Sequence, residues 1–119
     1  MNFDQTPEFA KELKAFAKKY RSLTGDLEKF QVLISSSEEL ERLHFFEGNA
    51  ATKLSTGDGY EVVKARLDCA SLGNKQMLRI IYIHMTKTRS VLFVELYAKN
   101  VKSREDDKRI KHYLTGDRM

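Results

Sequence analysis

The first 35 residues alternate hydrophobic and polar positions with a helical period. The apolar residues recur every three or four positions and form one stripe, made of Phe9, Leu13, Phe16 and Tyr20. Thr6 can cap the start of this helix, and Pro7 suits its first position because proline lacks the N–H that would have no partner there. The pattern predicts a helix over residues 6–20.

The polar residues 24–26 break this pattern and can start a second helix. Its apolar face is predicted to carry Leu27, Phe30, Leu33 and Ile34. Two helices joined by a short turn form a helical hairpin. We expect the serines at 35–37 to end or interrupt this helix, residues 38–43 to add a short turn of helix, and the small and polar residues 48–59 to form a loop.

From residue 60 the period changes to two, which is typical of strands. Strands are predicted over residues 60–69, 77–85 and 91–99, with polar turns between them. The first places Val63, Ala65, Leu67 and Cys69 on one side and Val62, Lys64, Arg66 and Asp68 on the other. The third places Leu92, Val94, Leu96 and Ala98 on one side and Phe93, Glu95, Tyr97 and Lys99 on the other. Successive strands with short turns predict an antiparallel meander.

The last segment is predicted to be a short helix that begins near Ser103, ends at Gly116 and buries Ile110 and Leu114. The element order is typical of an α+β fold, with the N-terminal helical hairpin packed on an antiparallel sheet, a short C-terminal helix, and the helices on one face. Residues 2–5 can add a short edge strand. A chain of 119 residues fits a single domain over residues 1–119.

The charge balance favours an anionic partner such as nucleic acid. Lysine and arginine number 21 and aspartate and glutamate 17, which gives a net charge of +4. A single cysteine excludes an internal disulfide, and the scattered histidines offer no zinc-ligand spacing, so no cofactor is expected. No apolar run is long enough for a transmembrane helix, and residues 1–9 do not resemble a secretory signal, so we expect a cytoplasmic protein with no membrane partner.

Cations on the strands are the candidate functional residues. Lys64 and Arg66 share one side of the first long strand, Arg79 begins the second, and Lys99 ends the third, two residues after Tyr97. If the strands pair in sequence order, these side chains gather on one sheet face. Such a face suits phosphate, because arginine presents a planar fork and lysine a point charge, and a tyrosine ring can stack on an unpaired base. An ordinary solvent-exposed sheet face is the alternative interpretation.

The same set can cleave RNA without a metal. RNA carries its own nucleophile, the 2′-hydroxyl, so an enzyme needs to align it, help its proton leave and stabilise the negative transition state. Arg66 and Arg79 suit phosphate binding and that stabilisation. Lys64 and Lys99 can assist electrostatically or in proton transfer, and Tyr97 can orient a base or the nucleophile. His84 and Cys69 are interpreted as structural residues of the sheet.

Several stretches, in their order and spacing, resemble the RelE/ParE superfamily of bacterial type II toxins over nearly the whole chain. They are residues 3–9, 13–14, 18–20, 63–67, 79–82, 95–99 and 109–114. The resemblance implies an α+β domain with a helical hairpin on an antiparallel sheet. It also implies a cognate antitoxin that wraps and neutralises the toxin. Because the chain is cationic, we expect that partner to be acidic.

The family divides into two activities. RelE-like members cut messenger RNA, usually on the ribosome, with strand-borne basic residues and no metal. The matching positions here are Lys64, Arg66 and Arg79, with Lys99 as a later basic position and Tyr113 as a candidate counterpart of a C-terminal tyrosine. ParE-like members inhibit DNA gyrase and lack these residues.

The prediction from the sequence is therefore a toxin of a type II toxin–antitoxin module that acts as a metal-independent, ribosome-associated endoribonuclease on messenger RNA. Two alternatives stay open. One is a non-catalytic inhibitor of DNA gyrase, and the other is a non-toxic remnant or interaction module of the same fold.

Overall fold

The computed structural model describes residues 1–35, 51–73, 75 and 77–115. Within them lie five strands, β1 (Asn2–Gln5), β2 (Ala51–Gly57), β3 (Tyr60–Arg66), β4 (Leu78–Met85) and β5 (Ser90–Ala98). Three α-helices are α1 (Pro7–Lys19), α2 (Leu23–Ser35) and α3 (Asp107–Leu114), and a 3-10 turn covers Ala70–Leu72. The predictions for residues 36–50 and for Gly116 fall outside the described residues.

The first predicted helix is confirmed and the second is confirmed with two corrections. The Thr6 side chain accepts a hydrogen bond from the Phe9 N–H at 3.1 Å, which is the expected N-cap. Residues 24–26 lie in the first turn of α2, as predicted, but the break between the helices falls at residues 20–22, because α1 ends at Lys19 and α2 begins at Leu23. Leu33 is 45% exposed and does not lie on the buried face. The apolar residues that α2 does bury follow a helical spacing of four, three and four: Leu23, Leu27, Phe30 and Ile34.

In the described part of the chain the strands form one sheet in the order β1-β5-β4-β3-β2. The antiparallel meander of β3, β4 and β5 and the edge strand at residues 2–5 are confirmed. Because β1 runs parallel to β5, the sheet as a whole is mixed and not purely antiparallel.

The loop predicted over residues 48–59 is wrong where the structure describes it. Residues 51–57 form β2, which pairs antiparallel with β3 through a tight turn at Asp58 and Gly59. Gly59 has a φ of 81°, a conformation that glycine adopts without strain. An Asp-Gly pair between two β-compatible runs is a strong hairpin signal, and it marks this hairpin in the sequence.

The predicted alternation along β5 fails at one point. The pairing with β4 passes from Ile81–Glu95 to Tyr82–Phe93, so Val94 is an extra residue and forms a bulge. Side chains before and after the bulge therefore change sides. Phe93 lies in the same core as Leu96 and Ala98, whereas Val94 lies on the face that Tyr97 occupies. The alternation of apolar and polar residues along a strand does not show where a bulge lies, and the sequence prediction missed this one.

The helices cover both faces of the sheet and not one. α1 and α2 pack on the larger core, which includes Phe9, Phe30, Tyr82, Phe93 and Leu96. On the opposite face, α3 packs through Ile110 against a smaller core that includes Val62, Ile81, Ile83, Val94 and Tyr97. The bulge contributes to this second core by turning Val94 toward α3. No helix in the described part of the chain has the length and apolar character that crossing a membrane requires.

The C-terminal helix begins later than predicted. Its N-cap is Asp106 and not Ser103, because the Asp106 carboxylate accepts the Arg109 N–H at 3.1 Å. The Asp106 N–H in turn donates to Glu95 Oε1 at 2.8 Å. Glu95 is fully buried in β5, so this bond ties the start of α3 to the sheet.

Polar bonds join α1, β5 and α3 at the bulge. Arg109 Nη1 donates to Glu12 Oε1 at 2.9 Å and to the Val94 carbonyl at 3.0 Å. The Leu96 N–H donates to the same Glu12 oxygen at 3.2 Å, and the Thr6 hydroxyl donates to the Val94 carbonyl at 3.3 Å. These bonds occupy backbone groups of β5 beyond the point where β1 ends.

We expect Arg109→Met to lower the free energy of unfolding by about 2 kcal/mol, because it leaves the half-buried Glu12 carboxylate without its charged partner. Arg104→Met is the matched control. Arg104 also bonds a carboxylate, that of Asp107, at 2.8 Å, but both side chains are more than half exposed, so the loss should stay below about 1 kcal/mol. Urea unfolding of both variants measures the difference, and equal losses would contradict the role given to Arg109.

Candidate functional site

The strand register brings the five candidate residues into one cavity. Arg66 on β3 pairs with Arg79 on β4, and Arg79 pairs with Tyr97 on β5. Lys64 lies two residues before Arg66 on the same side of β3. The Lys99 N–H donates to the Met77 carbonyl at 2.7 Å, which extends the β4–β5 pairing to the cavity rim. The cavity has a volume of about 210 Å³, and Thr52 and Ser103 also line it.

The cavity occupies the end of the second sheet face that α3 does not cover. α3 buries the apolar end of that face, around Ile81 and Ile83, and the cationic end stays open. This sheet face therefore has two parts. Its apolar part packs against α3, and its cationic part forms the cavity.

Arg66 and Arg79 face each other as like charges on adjacent strands. Arg79 is 9% exposed, and its Nη1 donates to the Leu78 carbonyl at 3.1 Å. Burial lowers the pKa of Arg79, the positive charge of Arg66 lowers it further, and Tyr97 opposes both effects. Like charges directly opposite in a sheet are unfavourable, and an anion bound between them removes the repulsion. The pair therefore suits a phosphate group.

Lys64 connects the strand cations to the segment after β5. Its Nζ donates to Glu105 Oε2 at 3.1 Å. Burial lowers the pKa of Lys64, but the bonds to Glu105 and Tyr97 outweigh it and the net shift is upward. Lys64 therefore stays charged at neutral pH.

Tyr97 stays a neutral phenol. Burial raises its pKa, and the adjacent Lys64 only partly offsets that effect. Lys64 and Tyr97 line the cavity together, and the positive charge of the lysine acts on the phenol. Tyr97 is therefore suited to give a proton.

Base stacking on Tyr97 is excluded by its surroundings. The residue is 4% exposed, and Lys102 Nζ lies 5.8 Å from the centre of its ring. The expectation that this ring stacks on an unpaired base is therefore wrong for the structure described. Its hydroxyl is the part of the side chain that can act in the cavity.

Other candidates lie away from the cavity. His84 pairs with Glu61 at 3.4 Å near the opposite end of β4, and Cys69 is buried in the larger core, in agreement with structural roles. The Tyr113 hydroxyl donates to Glu8 at 2.6 Å between α3 and α1, so Tyr113 is not part of the cavity. Among the described residues, no group of three or more His, Cys, Asp and Glu side chains can hold a metal ion.

Sequence reasoning missed Lys102 and Glu105. Both lie in the irregular segment between β5 and α3, where no period fixes the direction of a side chain. Glu105 contacts Lys64 from 41 positions away, so only the path of this segment brings the two together. A weak signal was present, because three further residues close to Lys102 in this segment, Arg104, Glu105 and Asp106, are charged.

Comparisons with known proteins add no relative. No family model matches the chain, and neither a curated protein nor a solved structure matches it. The geometry and chemistry of the cavity therefore carry the functional argument.

We expect inorganic pyrophosphate to raise the melting temperature of the wild-type protein by about 1–3 °C at low ionic strength, because an anion bound between Arg66 and Arg79 offsets their like charges. In Arg66→Gln this effect of pyrophosphate should be small. Arg21→Gln is the control, since Arg21 is exposed near the end of α1 on the other sheet face and should keep the wild-type response. An unchanged pyrophosphate effect in Arg66→Gln would contradict an anion site between the arginines.

Proposed function

We propose that this protein is a RelE/ParE-type toxin that cleaves messenger RNA as a metal-independent, ribosome-associated endoribonuclease. The observation that supports the proposal most is the cavity itself, where Arg66 and Arg79 face each other beside the Tyr97 hydroxyl. Cleavage of RNA by its own 2′-hydroxyl needs positive groups that bind the phosphate and a group that gives a proton to the leaving oxygen. The two guanidinium groups and the Tyr97 hydroxyl can supply these.

The proposed reaction is an internal displacement at phosphorus. The RNA 2′-hydroxyl loses its proton to hydroxide from solvent, and its oxygen forms a bond to phosphorus. The bond from phosphorus to the 5′-oxygen breaks, and that oxygen takes the proton of Tyr97, which solvent then restores. The products are a 2′,3′-cyclic phosphate and a 5′-hydroxyl.

Each cation has a place in this reaction. Arg66 and Arg79 bind the non-bridging phosphate oxygens and stabilise the charge that develops on them. Lys64 places positive charge beside Tyr97, and Lys99 adds positive charge at the rim. Because hydroxide takes the 2′-proton and Tyr97 must carry its own, activity should rise with pH and level off as the pH passes through the pKa of Tyr97, which is raised above its ordinary value.

The cavity also favours this activity over inhibition of DNA gyrase. A non-catalytic inhibitor does not need Arg66, Arg79 and Tyr97 to line one cavity. This arrangement therefore supports the nuclease over a gyrase inhibitor or a remnant.

Induced expression of the wild-type protein should stop growth and create new 5′ ends inside translated messages. The variant Arg66→Ala and the double variant Arg66→Ala/Arg79→Gln should abolish the new 5′ ends. The double variant Arg21→Ala/Arg104→Gln removes the same charge at exposed positions, so it should cleave normally. Circular dichroism confirms that each variant is folded. Growth arrest with intact messages would contradict the nuclease and favour inhibition of DNA gyrase. Growth without arrest would favour a non-toxic remnant.

An acidic antitoxin is the second element of the proposal. The acids Glu8 and Glu12 of α1 turn toward α3, so the exposed surface of this helix is cationic. Its exposed lysines are Lys11, Lys14, Lys18 and Lys19. A disordered acidic segment that folds on contact is complementary to such a surface.

A protein of acidic composition encoded beside this gene should therefore copurify with it and block RNA cleavage. Reversal of charge in Lys11→Glu/Lys14→Glu should weaken the complex more than Lys87→Glu does and should reduce its sensitivity to salt, because Lys87 lies in the β4–β5 turn and not on α1. The absence of a copurifying acidic protein, or equal weakening by both variants, would refute this partner.

A further inference from the structure

Glu105 is a carboxylate beside a site proposed to bind phosphate. Its negative charge opposes an anion, so a role in substrate binding does not explain it. Its side chain is 9% exposed and bonds Lys64 at 3.1 Å from outside the cavity lining. A buried carboxylate of this kind acts on the site through the residue that it holds.

The protein fixes the position of Glu105 on both sides. Glu95, which is fully buried, accepts the ammonium of Lys102 on one carboxylate oxygen and the Asp106 N–H on the other. Lys102 and Asp106 flank Glu105 in sequence, so the segment between β5 and α3 is tied to the sheet at both of its ends. Glu105 therefore presents its carboxylate to Lys64 from a fixed backbone.

We propose that Glu105 is a positioning residue, whose carboxylate holds the Lys64 ammonium in the cavity beside Tyr97, where the charge of the lysine favours transfer of the phenol proton to the leaving oxygen. The inference rests on the proposed cleavage reaction, because only that reaction uses the phenol proton. Glu105 acts through Lys64 and does not touch the substrate.

The charged groups that act on Tyr97 come from every strand of the meander and from the segment after it. They are Lys64 on β3, Arg79 on β4, Glu95 on β5, and Lys102 and Glu105 after β5. Any change at Glu105 therefore reaches Tyr97 by two routes, a direct electrostatic one and one through Lys64. A double-mutant cycle separates the two routes.

The experiment measures cleavage of a defined messenger on programmed ribosomes by four proteins: wild type, Glu105→Gln, Lys64→Met and the double variant. We expect Glu105→Gln to lower kcat roughly tenfold, a part of what a well-placed acid contributes, with KM unchanged or lower because a repelling charge is gone. In the Lys64→Met background the same change should lower kcat less than about twofold. Glu105→Asp should recover part of the loss.

Glu61→Gln is the matched control. Glu61 also accepts a lysine, Lys53, at 3.1 Å and is also largely buried, but it lies at the other end of β3. Its removal should leave kcat unchanged. An equal loss of kcat from Glu105→Gln with and without Lys64, or an effect on KM alone, would overturn the positioning role.

A second readout does not depend on cleavage. Labelling the tyrosines with ¹³C at the ring carbon that bears the hydroxyl allows NMR to follow the titration of Tyr97, assigned with Tyr97→Phe. Glu105→Gln should shift the midpoint of this titration, and the shift should shrink when Lys64 is replaced by Met. If the wild-type protein cleaves no RNA, the proposed function fails, and the NMR cycle still decides whether Glu105 acts on Tyr97 through Lys64. An equal shift in both backgrounds would refute that path.

Discussion

The bulge at Val94 in β5 is the constraint on which the rest of the structure depends. One extra residue reverses the alternation of side chains, so Phe93 enters the larger core while Glu95 and Tyr97 lie on the opposite face. Without it, Phe93 and Tyr97 would share a face, and either the core would lose a ring that stacks on Phe9 or the cavity would lose its phenol. The bulge thus lets one strand serve a core and a site.

The elements around the bulge stabilise it by bonding its backbone. The Val94 carbonyl accepts from Thr6 and Arg109, and the Leu96 N–H donates to Glu12. Glu95, beside the bulge, holds the segment that carries Lys102 and Glu105. The start of α1, the start of α3 and the segment between β5 and α3 are therefore fixed at one place on β5. These contacts determine the geometry of the cavity.

Much of this could be predicted from the sequence, because most elements follow a clear period. The cation face was predictable, since Arg66, Arg79 and Tyr97 meet whenever β3, β4 and β5 pair in order. The bulge and the second helical layer were not predictable, because each strand was interpreted with an unbroken period. The covered ring of Tyr97 depends on the path of the segment after β5, which places Lys102 over it, and local patterns do not determine such a path.

The central claim is that the paired arginines hold a phosphodiester beside Tyr97. The most direct measurement is a crystal structure with a short RNA whose 2′-hydroxyl is replaced by hydrogen at one position, which prevents cleavage there. The account predicts the phosphate that follows this position between Arg66 and Arg79, with its oxygens about 3 Å from both guanidinium groups and its 5′-oxygen near the Tyr97 hydroxyl. An RNA bound along the lysines of α1, with the cavity unoccupied, would contradict it.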